Sequence, residues 1–137
     1  MKILIIDGMG GGIGKAIIEQ IKSEFDKVNI MAVGTNSIAT SVMIKAGATN
    51  GATGENAIIH NAASADCIIG VMGILIANSI HGEISPKMSR AISLSAAHKV
   101  LIPMGKCGVS VLGLEEKPIQ SYINDINTTL KTLFPIN

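Results

Sequence analysis

Tryptophan is absent from this 137-residue chain, and Phe25, Tyr122 and Phe134 are its only aromatic side chains. Proteins that stack the bases of a single nucleic-acid strand need more rings than that. Charge is sparse as well: 15% of residues are Asp, Glu, Lys or Arg, the formal net charge is +1, and no run of Lys or Arg occurs. That balance removes the electrostatic footprint of a nucleic-acid surface or a polybasic membrane contact. Two cysteines, Cys67 and Cys107, are too few for a disulfide framework or a four-cysteine zinc site, so no metal is expected and both read as reduced thiols. Long hydrophobic runs are missing too. The stretch from Cys67 to Ile80 is broken by Gly70, Gly73 and Asn78 and is shorter than the about 20 residues a spanning helix requires. The apolar run at Ile3 to Ile6 is too short for a signal peptide. Neither nucleic acid nor membrane is expected as a partner, and the expected location is cytoplasmic.

What the chain does have is aliphatic residues and glycine: 47% hydrophobic residues and 15 glycines. Its length suits one domain. Ile3 to Ile6 read as a strand buried on both faces. Ile13, Ala16, Ile17 and Ile21 then recur at helical spacing in a segment ending near Phe25. A second strand is expected at Asn29 to Val33, a helix from Ser37 to Ala46 stopped by Gly47, and a short third strand at Ala48 to Gly51. Thr53 is expected to cap a helix running through Asn61. A strand from Ala65 to Gly70, a structured connection from Val71 to Ile84, and a helix started by Ser85 and Pro86 and running to Ala97 follow. Val100 to Ile102 is the fifth strand. Val109 to Leu112 is expected to return antiparallel to it through the turn Gly105-Lys106-Cys107-Gly108. Pro118 opens a last amphipathic helix bearing Ile119, Tyr122, Ile123, Ile126, Leu130 and Leu133. Alternating strands and helices predict a Rossmann-like three-layer α/β sandwich, with a mostly parallel sheet of order 3-2-1-4-5 and a C-terminal antiparallel edge strand.

The most informative segment is Asp7-Gly8-Met9-Gly10-Gly11-Gly12-Ile13-Gly14-Lys15, between the first strand and first helix. Glycines there let backbone N–H groups approach an anion, and the helix dipole points its positive end at the same place. Gly8, Gly12 and Gly14 carry the spacing G-x-x-x-G-x-G, which resembles the cofactor turn of short-chain dehydrogenases, with Asp7 where those usually have threonine. Gly11-Gly12-Ile13-Gly14-Lys15 is also similar to the end of a P-loop. Met9 stands where that loop needs its first glycine, however, and Ala16 where it needs the hydroxyl that holds magnesium. The expected ligand is a phosphorylated small molecule, with NAD(P) or another nucleotide as the candidate cofactor, contacted by Gly8, Gly10, Gly11, Gly12, Ile13 and Gly14.

Dinucleotide folds usually place an acid at the end of the second strand for the adenosine ribose. This chain has Gly34-Thr35-Asn36-Ser37 there, with no acid and no arginine. Thr35, Asn36 and Ser37, with Thr53, Asn56, Asn78 and Ser79, are candidates to complete the pocket; Asn36 or Ser37 serves equally as a helix cap. The Tyr-x-x-x-Lys pair of short-chain dehydrogenases is missing, since Tyr122 is the only tyrosine and Ile126 follows it four residues on. His81 and Glu83 are the candidate acid/base residues, and two solvated loop residues are the alternative. His60 and His98 read as isolated surface or structural residues.

Four strings extend the comparison to nearly the whole chain: Asp7 to Lys15, Gly34-Thr35-Asn36-Ser37-Ile38-Ala39-Thr40, Gly51-Ala52-Thr53-Gly54-Glu55-Asn56-Ala57, and Ile76-Ala77-Asn78-Ser79 with Gly82-Glu83-Ile84. In these the sequence resembles the bacterial family known as domain of unknown function 3842. The resemblance implies a bacterial cytosolic protein and assigns no activity. Three expectations stand: a binding module for a phosphorylated small molecule, a small enzyme using His81 and Glu83 in the same crevice, and a ligand-free interaction protein. The third would form a homodimer through the apolar segment 71–80.

Overall fold

The computed structural model describes residues 1–105 and 107–136. Strands β1 (Lys2–Asp7), β2 (Asn29–Gly34), β3 (Asn50–Thr53), β4 (Cys67–Val71) and β5 (His98–Ile102) alternate with helices. They form one sheet of order β3-β2-β1-β4-β5. Every pairing is parallel, with Ile3 opposite both Ile30 and Cys67, and Val71 opposite Ile102. The order reverses at β1, so the C-terminal ends of β1, β2 and β4 border the crevice in which open α/β sheets hold ligands.

The run Ile3-Leu4-Ile5-Ile6 is buried on both faces because side chains of a strand alternate. Ile3 and Ile5, with Ile30 and Ile69, pack under helices α1 (Gly12–Lys22) and α6 (Ile126–Leu133). Leu4 and Ile6, with Val33 and Ile68, pack under α3 (Glu55–Ala62) and α4 (Pro86–Leu94). Helix α2 (Ser37–Lys45) joins the first of these layers through Met43, and α5 (Ile119–Asn124) joins it through Ile123. Helices thus cover both faces of the sheet. No helix among the described residues is long and apolar enough to cross a membrane.

Several expected boundaries move. The third strand lies at Asn50–Thr53 because Ala46 and left-handed Gly47 (φ 119°) close α2 after Lys45 and Ala48 and Thr49 are used as the connection. Thr53 is therefore a strand residue, and Gly54 (φ 99°) starts α3 without a side-chain cap. Ser85 and Pro86 do start α4, with the Ser85 hydroxyl accepting the Met88 N–H at 3.2 Å. The last helix comes in two pieces, α5 and α6, joined at Asp125.

The antiparallel edge strand is not formed. Val109 to Leu112 pair with nothing in the sheet, and Leu112 is 96% exposed. Pro103 follows β5 directly and has no N–H to give a ladder. The Met104 carbonyl accepts the Gly73 N–H at 3.3 Å, which carries the chain across the end of the sheet instead of back along β5. Lys106, in the expected hairpin turn, lies outside the described residues.

Candidate functional site

Gly11 is the residue before α1 and adopts φ 76°, which glycine reaches without strain. Part of the start of the helix already has an internal partner. Asp7, at the end of β1, turns its carboxylate inward, where it accepts the Gly8 N–H at 2.8 Å and the Gly14 N–H at 2.7 Å. Burial pushes the Asp7 carboxyl up from its ordinary range, and the Gly14, Gly8 and Ile13 amides pull against that shift while the Glu83 charge adds to it.

The glycines of the turn divide into two kinds. A Cβ on Gly8 would sit 2.9 Å from the Thr35 hydroxyl, one on Gly11 would sit 2.9 Å from the Ala39 backbone, and one on Gly14 would run into Met43. Those three are demanded by packing. Gly10 and Gly12 are not: a Cβ on either meets nothing within 4 Å, and neither has a left-handed backbone. Their N–H groups have no acceptor among the described residues. Both line a cleft of about 420 Å³ between the turn and the ends of β4 and β5. Its walls are largely apolar, from Ile13, Val71, Ile80 and Met104, with Asp7, His81 and Cys107 also on its lining. The volume lies within the range of small-molecule sites.

On the other side of the turn a segment from beyond β4 reaches over to the ends of β1 and β2. After β4 a 3₁₀ turn (Met72–Leu75) leads into a strap, 76–84, held by Asn78 N–H to the Ile84 carbonyl at 2.7 Å and by the Ser79 hydroxyl donating to the Gly73 carbonyl. The strap delivers Glu83 to the ends of β1 and β2. Its Oε1 accepts the Thr35 hydroxyl, the Asn36 side-chain amide at 3.0 Å and the Met9 N–H at 3.1 Å; Oε2 shares that N–H at 3.3 Å. The Thr35 hydroxyl above all, then the Met9 and Asn36 donors, holds the Glu83 carboxyl below its ordinary range against a desolvation that raises it.

The other candidate residues separate accordingly. Asn36 caps α2, accepting the Ala39 N–H at 2.9 Å, and also donates to the Met9 carbonyl at 2.9 Å. Thr53 is bonded to the Thr40 hydroxyl at 2.7 Å, beneath the β2 end. Ser79 is buried and serves the strap, whereas Asn78, Ser37 and Asn56 are exposed and make no side-chain hydrogen bond among the described residues. His81 and Glu83 share the strap but no hydrogen bond, because the carboxylate faces the turn. Of segment 71–80, Val71 and Ile74 are buried within the chain itself, and Leu75 is half-buried. The sequence reading missed Met104 and Cys107 as lining residues, since nothing local in the chain signals that the end of β5 turns over the cleft. It also missed that Asp7 would occupy the start of α1, although an acid directly after a buried strand and before a glycine turn is a signal for that.

These features define an α/β protein with one described parallel sheet, a glycine turn where the strand order reverses, and a cleft open on one side of that turn. The chain belongs to the family described as domain of unknown function, DUF3842, whose model matches residues 2–135. Comparison with curated proteins and with solved structures finds no match.

Proposed function

We propose that this protein is a binding module for a small molecule carrying a phosphate or similar anionic group, held in the cleft on the β4 side of the glycine turn. The carrying observation is that Gly10 and Gly12 line the cleft although the fold needs glycine at neither position. Glycine allows backbone to approach a ligand closely. The Gly12 N–H, at the first position of α1, and the Gly10 N–H, in the turn before it, have no internal acceptor among the described residues, and donors at a helix start suit an anion. Val71, Ile80 and Met104 offer an apolar wall to the rest of the ligand. With the Glu83 carboxylate committed to Met9, Thr35 and Asn36, the geometry lends no support to an acid/base pair with His81.

The test is a titration followed by amide NMR, with inorganic phosphate first and then sugar phosphates and mononucleotides. The Gly10 and Gly12 signals should move and saturate. Gly12→Val, at a position where an added Cβ meets nothing within 4 Å, should abolish the response. A ligand at about 100 times its Kd adds about 2.7 kcal/mol of stability, several degrees of melting temperature. Gly10 and Gly12 signals that stay still across the panel, with no change in melting temperature, would refute the reading.

A further inference from the structure

A dinucleotide in a fold of this order lies across the crevice, with its pyrophosphate at the glycine turn and its adenosine ribose at the end of β2. The β2 end of this chain carries no acid of its own, yet an acid stands there: the strap brings Glu83 across from the far side of β1. Thr35 and Asn36, just after β2, and Met9 from the turn all donate to that one carboxylate. Oε1 receives three donors, so the carboxylate lies in the wall of the crevice and occupies the recess as a ligand group would. Ile80 of the strap closes in beside it, its Cγ2 3.3 Å from where a Cβ on Gly8 would be.

The strap is not a relaxed loop. Asn78 (φ 64°), Ile80 (φ 54°), His81 (φ 54°) and Gly82 (φ 85°) are all left-handed. For a β-branched residue such as Ile80 this is a genuine outlier, which persists only where surrounding contacts impose it. The Glu83 bonds to the turn, together with the Asn78–Ile84 and Ser79–Gly73 bonds, are those contacts. On the β2 side the half-buried Glu83 is therefore tied to the turn by the strap, while the β4 side opens as the cleft.

We propose that Glu83 determines ligand class at this site: its carboxylate fills the β2 half of the crevice, so the protein accepts a ligand with one anionic group in the β4 half and excludes dinucleotides. This inference rests on the proposed binding at Gly10 and Gly12 and narrows it. The recess itself is a set of hydrogen-bond donors, Met9 N–H, Thr35 Oγ–H and Asn36 Nδ2–H, which would receive an anionic or hydroxyl group of a ligand once Glu83 is removed.

The probes are inorganic phosphate and NAD, titrated into wild type and Glu83→Ala and read by amide NMR. In wild type, phosphate should move the Gly10 and Gly12 signals and leave the Met9 amide and Asn36 side-chain amide in place. NAD should bind Glu83→Ala at least tenfold more tightly than wild type, with the Met9 and Asn36 signals joining the response. Phosphate affinity should change less than threefold. If phosphate binds but Glu83→Ala gains nothing for NAD, this inference falls and the binding reading stands. If phosphate moves nothing and neither form binds NAD, both fall. The wild-type arm decides even where Glu83→Ala fails to fold, because NAD binding to wild type as tightly as phosphate, with the Met9 signal moving, overturns the proposal.

Discussion

The two flanks of the glycine turn are built from the same materials and come to opposite ends. Toward β2, Met9 N–H, the Thr35 hydroxyl and the Asn36 amide are all used by one internal carboxylate. Toward β4, Gly10 and Gly12 leave two amides without an internal acceptor, above a cleft of about 420 Å³. Gly10 and Gly12 are exposed, so these amides are open to water or to a ligand. The contrast teaches where the proposed ligand is to be sought: on the flank where the chain has not supplied its own partner.

The sharpest way to break this comparison is with the glycines themselves. Gly11→Ala forces a side chain into a left-handed backbone and against Ala39, and should lose about 2–5 kcal/mol of unfolding free energy. Gly12→Ala, in open space one residue on, should leave stability unchanged or raise it by about 0.4–1 kcal/mol. Urea denaturation of the two variants checks both, and equal losses would mean that the fold requires Gly12 after all.

A smaller effect is expected where the internal carboxylates are removed. Asp7→Ala strips the acceptor from the Gly8 and Gly14 amides and should lose about 1–3 kcal/mol, since buried Gly14 would keep an unpaired N–H.

The two acids should also differ in the sign of their pH dependence. Glu83 is held below its ordinary range, chiefly by the Thr35 hydroxyl. Its contribution is therefore complete above that range and is lost as pH falls through and below it. Asp7 is raised by burial, so its folded form binds the proton more tightly and its term weakens stability as pH rises from the ordinary aspartate range through the raised one. Stability measured from pH 3 to 7 should accordingly fall less steeply on the acid side in Glu83→Gln than in wild type. An unchanged acid limb would mean that the Glu83 contacts contribute nothing in solution.

The smallest effect concerns the cysteines. Cys107 is exposed on the cleft lining, whereas Cys67 is buried with its thiol pushed up to about 12, by burial first and then by Asp66. A maleimide should label one thiol per native chain, at Cys107. A bound ligand should slow that reaction about threefold or more, and labelling unaffected by a saturating ligand would place the ligand away from this flank.

Much of the fold was legible along the chain. Ile3 to Ile6 is apolar without alternation, which only a strand covered on both faces explains, and the glycine turn directly after it gave the β1-to-α1 junction. Ser85-Pro86 declared the start of α4. The errors fell where local signals were shared: Val109, Val111 and Leu112 look like a strand, but a strand exists only where a neighbour accepts its ladder, and the Pro103 and Gly73–Met104 contacts send the chain elsewhere. Thr53 looks like a cap, yet β3 runs through it.

At the candidate site the division is sharper. The sequence by itself determined that a glycine turn follows a buried strand and that the β2 end has no acid of its own, because both are matters of residues adjacent in the chain. It could not say which glycines the packing demands, since that depends on Thr35, Ala39 and Met43 approaching from other elements. Nor could it foresee that Glu83 brings a carboxylate to the β2 end across 74 positions from Met9. Only the tertiary structure decided that, because a carboxylate goes where donors from separate strands converge, and convergence is created when the sheet assembles.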